Sequence, residues 1–133
     1  MKAIKAKTTK GIPVGARVIA CDNSGAKIVR IFTVKGYKSV KRRLSSAGVG
    51  DLVMGSVKEG RPDIRKQVVH AIVVRQKKEY RRPNGQRVKF EDNAVVILKD
   101  DKGNPRGTTI KGPIAKEVVE RWSGIGKIAS VVV

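Results

Sequence analysis

The chain reads as a mostly β protein: a small five-stranded barrel with a projecting basic hairpin and a short C-terminal helical segment. Three observations carry this reading. Short runs rich in Val and Ile are separated by Gly, Pro, Asn and Asp. A single helical pattern interrupts them, near the C-terminus. The two longest β-runs are joined through Pro83-Asn84-Gly85 by a segment with seven positive charges and one negative over residues 75–89. At 133 residues, the length fits one domain, 1–133, with a modest core.

Taken in order, residues 14–21 and 26–35 read as strands joined by Asp22-Asn23-Ser24-Gly25. Residues 52–57 form a third strand, entered through Gly48-Val49-Gly50-Asp51, and 68–79 and 86–98 are the long pair. Five such strands close into a barrel, which leaves no exposed edge. Asn84-Gly85 suits a two-residue type I′ turn, where both central residues need positive φ. With that turn Val74 faces Val95, Val73 faces Val96 and Ile72 faces Ile97, so the apolar runs 71–74 and 94–98 meet. The same register sets Lys77 against Asp92, Lys78 against Glu91 and Arg82 against Arg87. Asp100-Asp101 and the residues after them read as a turn.

Residues 113–122 read as an amphipathic helix, with Pro113 at the first helical position and Ile114, Val118 and Trp122 on one face. Glu117 and Arg121 are placed as an outer i,i+4 pair, and Gly124 ends the helix. Residues 128–133 read as a final apolar strand.

Thirty Lys and Arg against eleven Asp and Glu give a net charge of +19, which calls for a polyanionic partner. An anionic membrane is the rival to nucleic acid, but the chain has no signal peptide, lipidation motif or apolar run long enough to span a bilayer. Cytoplasmic residence is the expectation. Cys21 and His70 are the only residues of their kinds, so neither a disulfide nor a zinc cluster is expected, and no metal or cofactor is assigned. No nucleophile is paired with a base; Cys21 reads as a small core residue and His70 as structural. The sequence therefore predicts no enzyme and no small-molecule substrate.

The ribbon supplies Arg75, Lys77, Lys78, Arg81, Arg82, Arg87 and Lys89, with Tyr80 as the best stacking ring. It has almost no apolar face of its own to bury. Two loops extend the positive surface: residues 35–44, with Lys35, Lys38, Lys41, Arg42 and Arg43, and residues 61–66, with Arg65 and Lys66. Both read as too polar to pack. With only two Phe, two Tyr and one Trp, stacking on single strands is a poor fit. Phosphate and 2′-hydroxyl contacts to a folded RNA suit the composition better. From the residues alone a free RNA-binding module and an RNA-modifying enzyme stay open as alternatives.

One spacing is more specific. Ala71-Ile-Val-Val74, nine residues, Asn84-Gly85, four residues, Phe90, two residues, Asn93, two residues and Val96-Ile97 resembles the motif of the universal large-subunit ribosomal protein L-fourteen family. Residues 22–27, 47–51 and 107–113 resemble further blocks of that family in the same order. The resemblance implies a five-stranded barrel, binding to large-subunit ribosomal RNA and a place at the subunit interface with bridges to small-subunit ribosomal RNA. The basic ribbon residues would be RNA-facing, as would Lys27 in the first block. The 107–113 block and the following helix resemble the face toward the small subunit, where a subunit anti-association factor docks. This brings in Arg106, Thr108, Thr109, Lys111, Lys116 and Arg121. Thr109 departs from the Arg common in bacterial members. Neighbours implied are ribosomal proteins of the third and L-twenty-four-e large-subunit families. The Lys-rich start, residues 1–10, and the 60–66 loop resemble the archaeal and eukaryotic branch, and the compact N-terminus the archaeal one.

Overall fold

The computed structural model describes residues 3, 7–38 and 40–133. Lys2 and Lys5 of the Lys-rich start and Ser39 of the first basic loop lie outside the described residues. In chain order the elements are β1 (Ile12–Pro13), β2 (Arg17–Ala20), β3 (Ala26–Val34), β4 (Ser46–Ala47), β5 (Leu52–Gly60), β6 (Val68–Arg75), β7 (Tyr80–Arg81), β8 (Arg87–Val88), β9 (Ala94–Ile97), β10 (Pro113–Ile114), α1 (Lys116–Arg121), α2 (Ser123–Gly126) and β11 (Val131–Val132). Strands β2, β3, β5, β6 and β9 form a closed barrel in that order, as the five apolar runs predicted.

Four of the barrel's contacts are antiparallel, and closure comes from the parallel pairing of β2 with β9, where Ile19 meets Ala94 and Ala20 meets Val95. Apart from Val68 and His70, strands β6 and β9 are buried on both faces. Val69, Ala71, Val73, Val95 and Ile97 belong to one apolar cluster with Val18, Val29, Ile31 and Val53. Ile72, Val74, Ala94 and Val96 belong to another, with Tyr80, Phe90, Val118, Trp122 and Ile125. Continuous apolar runs, rather than alternation, are what two covered faces require.

The pairing of β6 with β9 differs by one residue from the expected one. Val73 faces Val95, Ile72 faces Val96 and Ala71 faces Ile97, and a bulge at Val74 lets Arg75 face Ala94. The turn explains the shift. Arg82 N donates to Gln86 O at 2.8 Å and Gly85 N to Arg82 O at 2.9 Å, so Pro83, Asn84 and Gly85 form a three-residue loop. Gly85 alone among them has positive φ, at 86°. Proline's fixed φ favours the first central position of a type I turn, and the glycine then takes the left-handed position.

The long hairpin is also not continuous. Buried Gln76 accepts from Val49 N at 3.0 Å and donates to Thr9 O and Lys78 O. Asn93 Oδ1 accepts from Lys77 N at 2.9 Å in place of a ladder carbonyl. Residues 76–79 thus leave the barrel sheet, and the outer part of the ribbon re-forms as the separate pair β7 and β8, with Tyr80 facing Val88 and Arg81 facing Arg87.

The C-terminal part departs from expectation at its start. Pro113 lies in β10, which pairs in parallel with β11 through Pro113 with Val131 and Ile114 with Val132. Helix α1 begins only at Lys116, and α2 follows at Ser123 rather than the chain turning away at Gly124. The final strand is the two residues of β11, not the whole of 128–133. The 61–66 loop packs after all, because Ile64 is fully buried in the barrel cluster.

Ile72 is fully buried between Leu52 and Val96. Ile72→Ala is expected to cost about 2–5 kcal/mol, measured by chemical denaturation.

Candidate nucleic-acid interface

The ribbon has an apolar face. Tyr80 is 0 % exposed, and Val88 and Phe90 are buried with it against α1 and α2. These residues alternate with Arg81, Arg87 and Lys89, which are all exposed, so one side of the ribbon is core and the other is charge.

Arg82 sits on the inner side. Its Nε donates to Glu117 Oε1 at 2.8 Å, and its Nη2 donates to Glu117 Oε2 at 3.3 Å and to Val133 O at 2.6 Å. Tyr80 donates its hydroxyl to Glu117 Oε2 at 2.9 Å. The Arg82 and Glu117 side chains are only 6 % and 3 % exposed. Burial raises the Tyr80 phenol above its ordinary range, and the bond to Glu117 adds to the shift. Burial works against the Arg82 charge, but the bonds to Glu117 and Tyr80 more than offset it. The expected pairings of Glu117 with Arg121 and of Arg82 with Arg87 are therefore absent. Arg121 instead donates to Asp51 Oδ1 at 3.4 Å and lies 5.9 Å from the Trp122 ring centroid.

Arg75 is a second inward arginine. Its Nε and Nη2 donate to the two carboxylate oxygens of Asp92 at 2.8 and 3.1 Å, and Nη1 donates to Lys111 O and Pro113 O. Gly112 lets it approach: a Cβ there would stand 2.6 Å from Nη1. Asp92 is thus committed to Arg75 rather than Lys77, and Lys78 pairs with its neighbour Glu79 at 3.0 Å rather than with Glu91.

The remaining cations expected at the RNA are on the surface. Lys77, Lys78, Arg81, Arg87 and Lys89 are exposed along the ribbon, and Lys27 is exposed on β3. Lys38, Lys41, Arg42 and Arg43 are exposed in the first loop, and Arg65 and Lys66 in the second. Lys35 is exposed and donates to Asp101 at 2.8 Å. Lys41, Arg42 and Lys66 adopt left-handed φ of 52°, 61° and 65°. Arg81 and Arg87 face each other, and among the described residues neither forms a salt bridge, so their repulsion favours an external anion.

The 106–116 segment is held out separately. Asn23 Oδ1 accepts from Thr108 N at 2.8 Å while its Nδ2 donates to Thr108 Oγ1 at 2.8 Å. Arg106, Thr108, Thr109, Lys111 and Lys116 are exposed there. Buried Asp22 anchors the same turn, accepting from Ser24 Oγ and from Ile97 N at 3.0 Å; burial raises its carboxyl above the usual range.

The family model for ribosomal protein L14p/L23e matches residues 11–133. The chain belongs to this family. It is 57 % identical over 133 residues, all of both chains, to a protein of Nanoarchaeum equitans named large ribosomal subunit protein uL14. It is 50 % identical, again over the whole of both chains, to the protein of that name from Methanocella arvoryzae. Membership makes it a structural ribosomal protein and not an enzyme.

Glu117, expected on the outer side of the helix, is buried and bonded to Arg82 and Tyr80, and its position was informative. Ile114, Glu117, Val118, Arg121, Trp122 and Ile125 follow the helical i, i+3, i+4, i+7 spacing, so both charges fall on the inward stripe and require partners. Tyr80, Val88 and Phe90 share one period-two face, which the density of charge around them obscured. Arg75, Tyr80 and Arg82 serve the fold instead of presenting themselves to a ligand.

Arg82→Ala strands a buried carboxylate and is expected to cost about 3–5 kcal/mol, whereas Arg81→Ala should leave thermal melting unchanged. Cys21 is buried, and burial pushes its thiol up to about 12. At about pH 8 almost none is thiolate, so iodoacetamide should label it only after denaturation.

Proposed function

We propose that this chain is a structural constituent of the large ribosomal subunit that grips large-subunit ribosomal RNA with the outer cations of its ribbon and loops. The observation that carries the proposal is the ribbon's division into two sides. Arg75, Tyr80 and Arg82 lock one side to the protein. Lys77, Arg81, Arg87 and Lys89 are exposed on the other. Arg groups would take phosphates in bidentate fashion and Lys groups as point charges. Its place is the ribosome of the cytoplasm, in the large subunit that the names of its relatives give for them.

The exposed 106–116 segment supports a finer assignment. Its polar and cationic groups, steadied by Asn23, fit a bridge to small-subunit ribosomal RNA, and the same face fits a subunit anti-association factor. Arg121 is turned toward Asp51 and supports the helix, so it takes a weaker part in that face. Ribosomal proteins of the third and L-twenty-four-e families are the neighbours assigned.

The tagged protein is expected to co-sediment with large subunits in a sucrose gradient; a dominant ribosome-free pool would contradict the proposal. Replacing Arg81 and Arg87 with Ala should weaken binding to a large-subunit RNA transcript and lower the salt slope by up to about 2, with no loss of melting temperature.

A further inference from the structure

A second cationic feature lies away from the ribbon. A cavity of about 250 Å³ on the outer barrel wall is lined by Val68, Val69, His70, Leu98, Lys99 and Arg106. It brings together the outward face of β6, the residue pair after β9 and the start of the 106–116 segment. Two backbone bonds fix the walls: Leu98 N donates to His70 O at 2.8 Å and Arg106 N to Ile97 O at 3.0 Å. The three basic groups are thus built into the barrel rather than carried on a loose loop.

His70 Nδ1 is buried with no hydrogen-bond partner. A buried N–H without an acceptor costs more than an under-used lone pair, so Nδ1 is better left as the bare nitrogen and the ring N–H placed on Nε2. The ring that lines the cavity is therefore a donor. Lys99 and Arg106 are exposed and form no ion pair among the described residues. The nearby carboxylates have partners of their own: Asp101, close enough to interact with His70, accepts through Oδ2 from Lys35 at 2.8 Å, and Asp100 accepts from Lys102 N and Asn104 Nδ2 at 2.9 Å. A cavity lined by three donors and by Val68, Val69 and Leu98, with the nearby Asp101 paired to Lys35, is matched to one tetrahedral oxyanion.

We infer that His70, Lys99 and Arg106 form a phosphate-binding notch that holds one phosphodiester of ribosomal RNA. The identity of the ligand rests on the RNA-binding reading above. The notch lies on the barrel wall and shares Arg106 with the 106–116 segment, and so adds a contact that the ribbon and the two basic loops do not supply. An acidic side chain of a neighbouring protein is the competing occupant.

The test uses the full chain and two probes, inorganic phosphate and a large-subunit RNA transcript. Phosphate added at constant ionic strength is expected to shift the His70 ring resonances saturably, with Nε2 remaining the protonated nitrogen, and the double change Lys99→Gln, Arg106→Gln should abolish the shift. His70→Phe keeps the ring's volume and should weaken transcript binding about three- to tenfold without altering its salt slope. The double change should lower the slope by about 1, as expected for one phosphate contact. An unmoved His70, or an equal shift with an acidic peptide in place of phosphate, overturns the notch. Undiminished transcript binding by His70→Phe overturns it while leaving the RNA reading intact. A phosphate shift in a protein that fails to bind the transcript leaves the anion notch standing and removes the RNA reading.

Discussion

The buried pair between Arg82 and Glu117 governs the rest of the structure. It joins the outer ribbon to helix α1 across thirty-five residues of sequence and draws in the Tyr80 hydroxyl and Val133 O. Two ions removed from water gain from their pairing only when the geometry is good and the remaining donors and acceptors are met. Here both carboxylate oxygens and two guanidinium nitrogens are used. The pair therefore acts less as a store of stability than as a constraint on where the ribbon can lie. With it in place, Arg81, Arg87 and Lys89 face outward from a fixed surface.

A second constraint lies beneath the first. Strands β6 and β9 serve two apolar clusters, one inside the barrel and one under the ribbon and C-terminal helices. Because the same strands carry both, the helical part is continuous with the barrel rather than an appendage. Arg75 ties that junction, reaching Asp92 on the ribbon side and the carbonyls of Lys111 and Pro113 on the other. Ala115 N donating to Val74 O at 3.3 Å brings the start of the helix onto β6 itself. The exposed interface segment at 106–116 thus shares its support with the ribbon.

The five barrel strands were legible because apolar runs bounded by turn residues leave few other arrangements. The ribbon's register was not, because Asn-Gly suits one turn and Pro-Asn-Gly another, and the fixed φ of Pro83 selects the second. Charge misled the reading of side-chain direction in the same way at three positions. Arg75, Arg82 and Glu117 read as surface residues by type, yet each lies on an inward face and finds a partner distant in sequence. Such pairs cannot be seen in local spacing, although an acid and a base on two inward faces are a sign that they exist. Ile64 shows the converse, a single aliphatic residue that seats an otherwise charged loop. The cations of the ribbon tip and the first loop, expected on the surface from composition, are exposed there, as are those of the 106–116 segment, to which the family resemblance pointed.

The central claim is that the ribbon is held in place by one coupled ion pair rather than by its apolar face alone. A double-mutant cycle on Arg82→Met and Glu117→Leu, read by chemical denaturation, measures this most directly. Each single change leaves a buried charge unpaired, so the account predicts that the double variant loses no more than either single one, with a coupling of at least about 2 kcal/mol. Additive losses, with a coupling near zero, would contradict it.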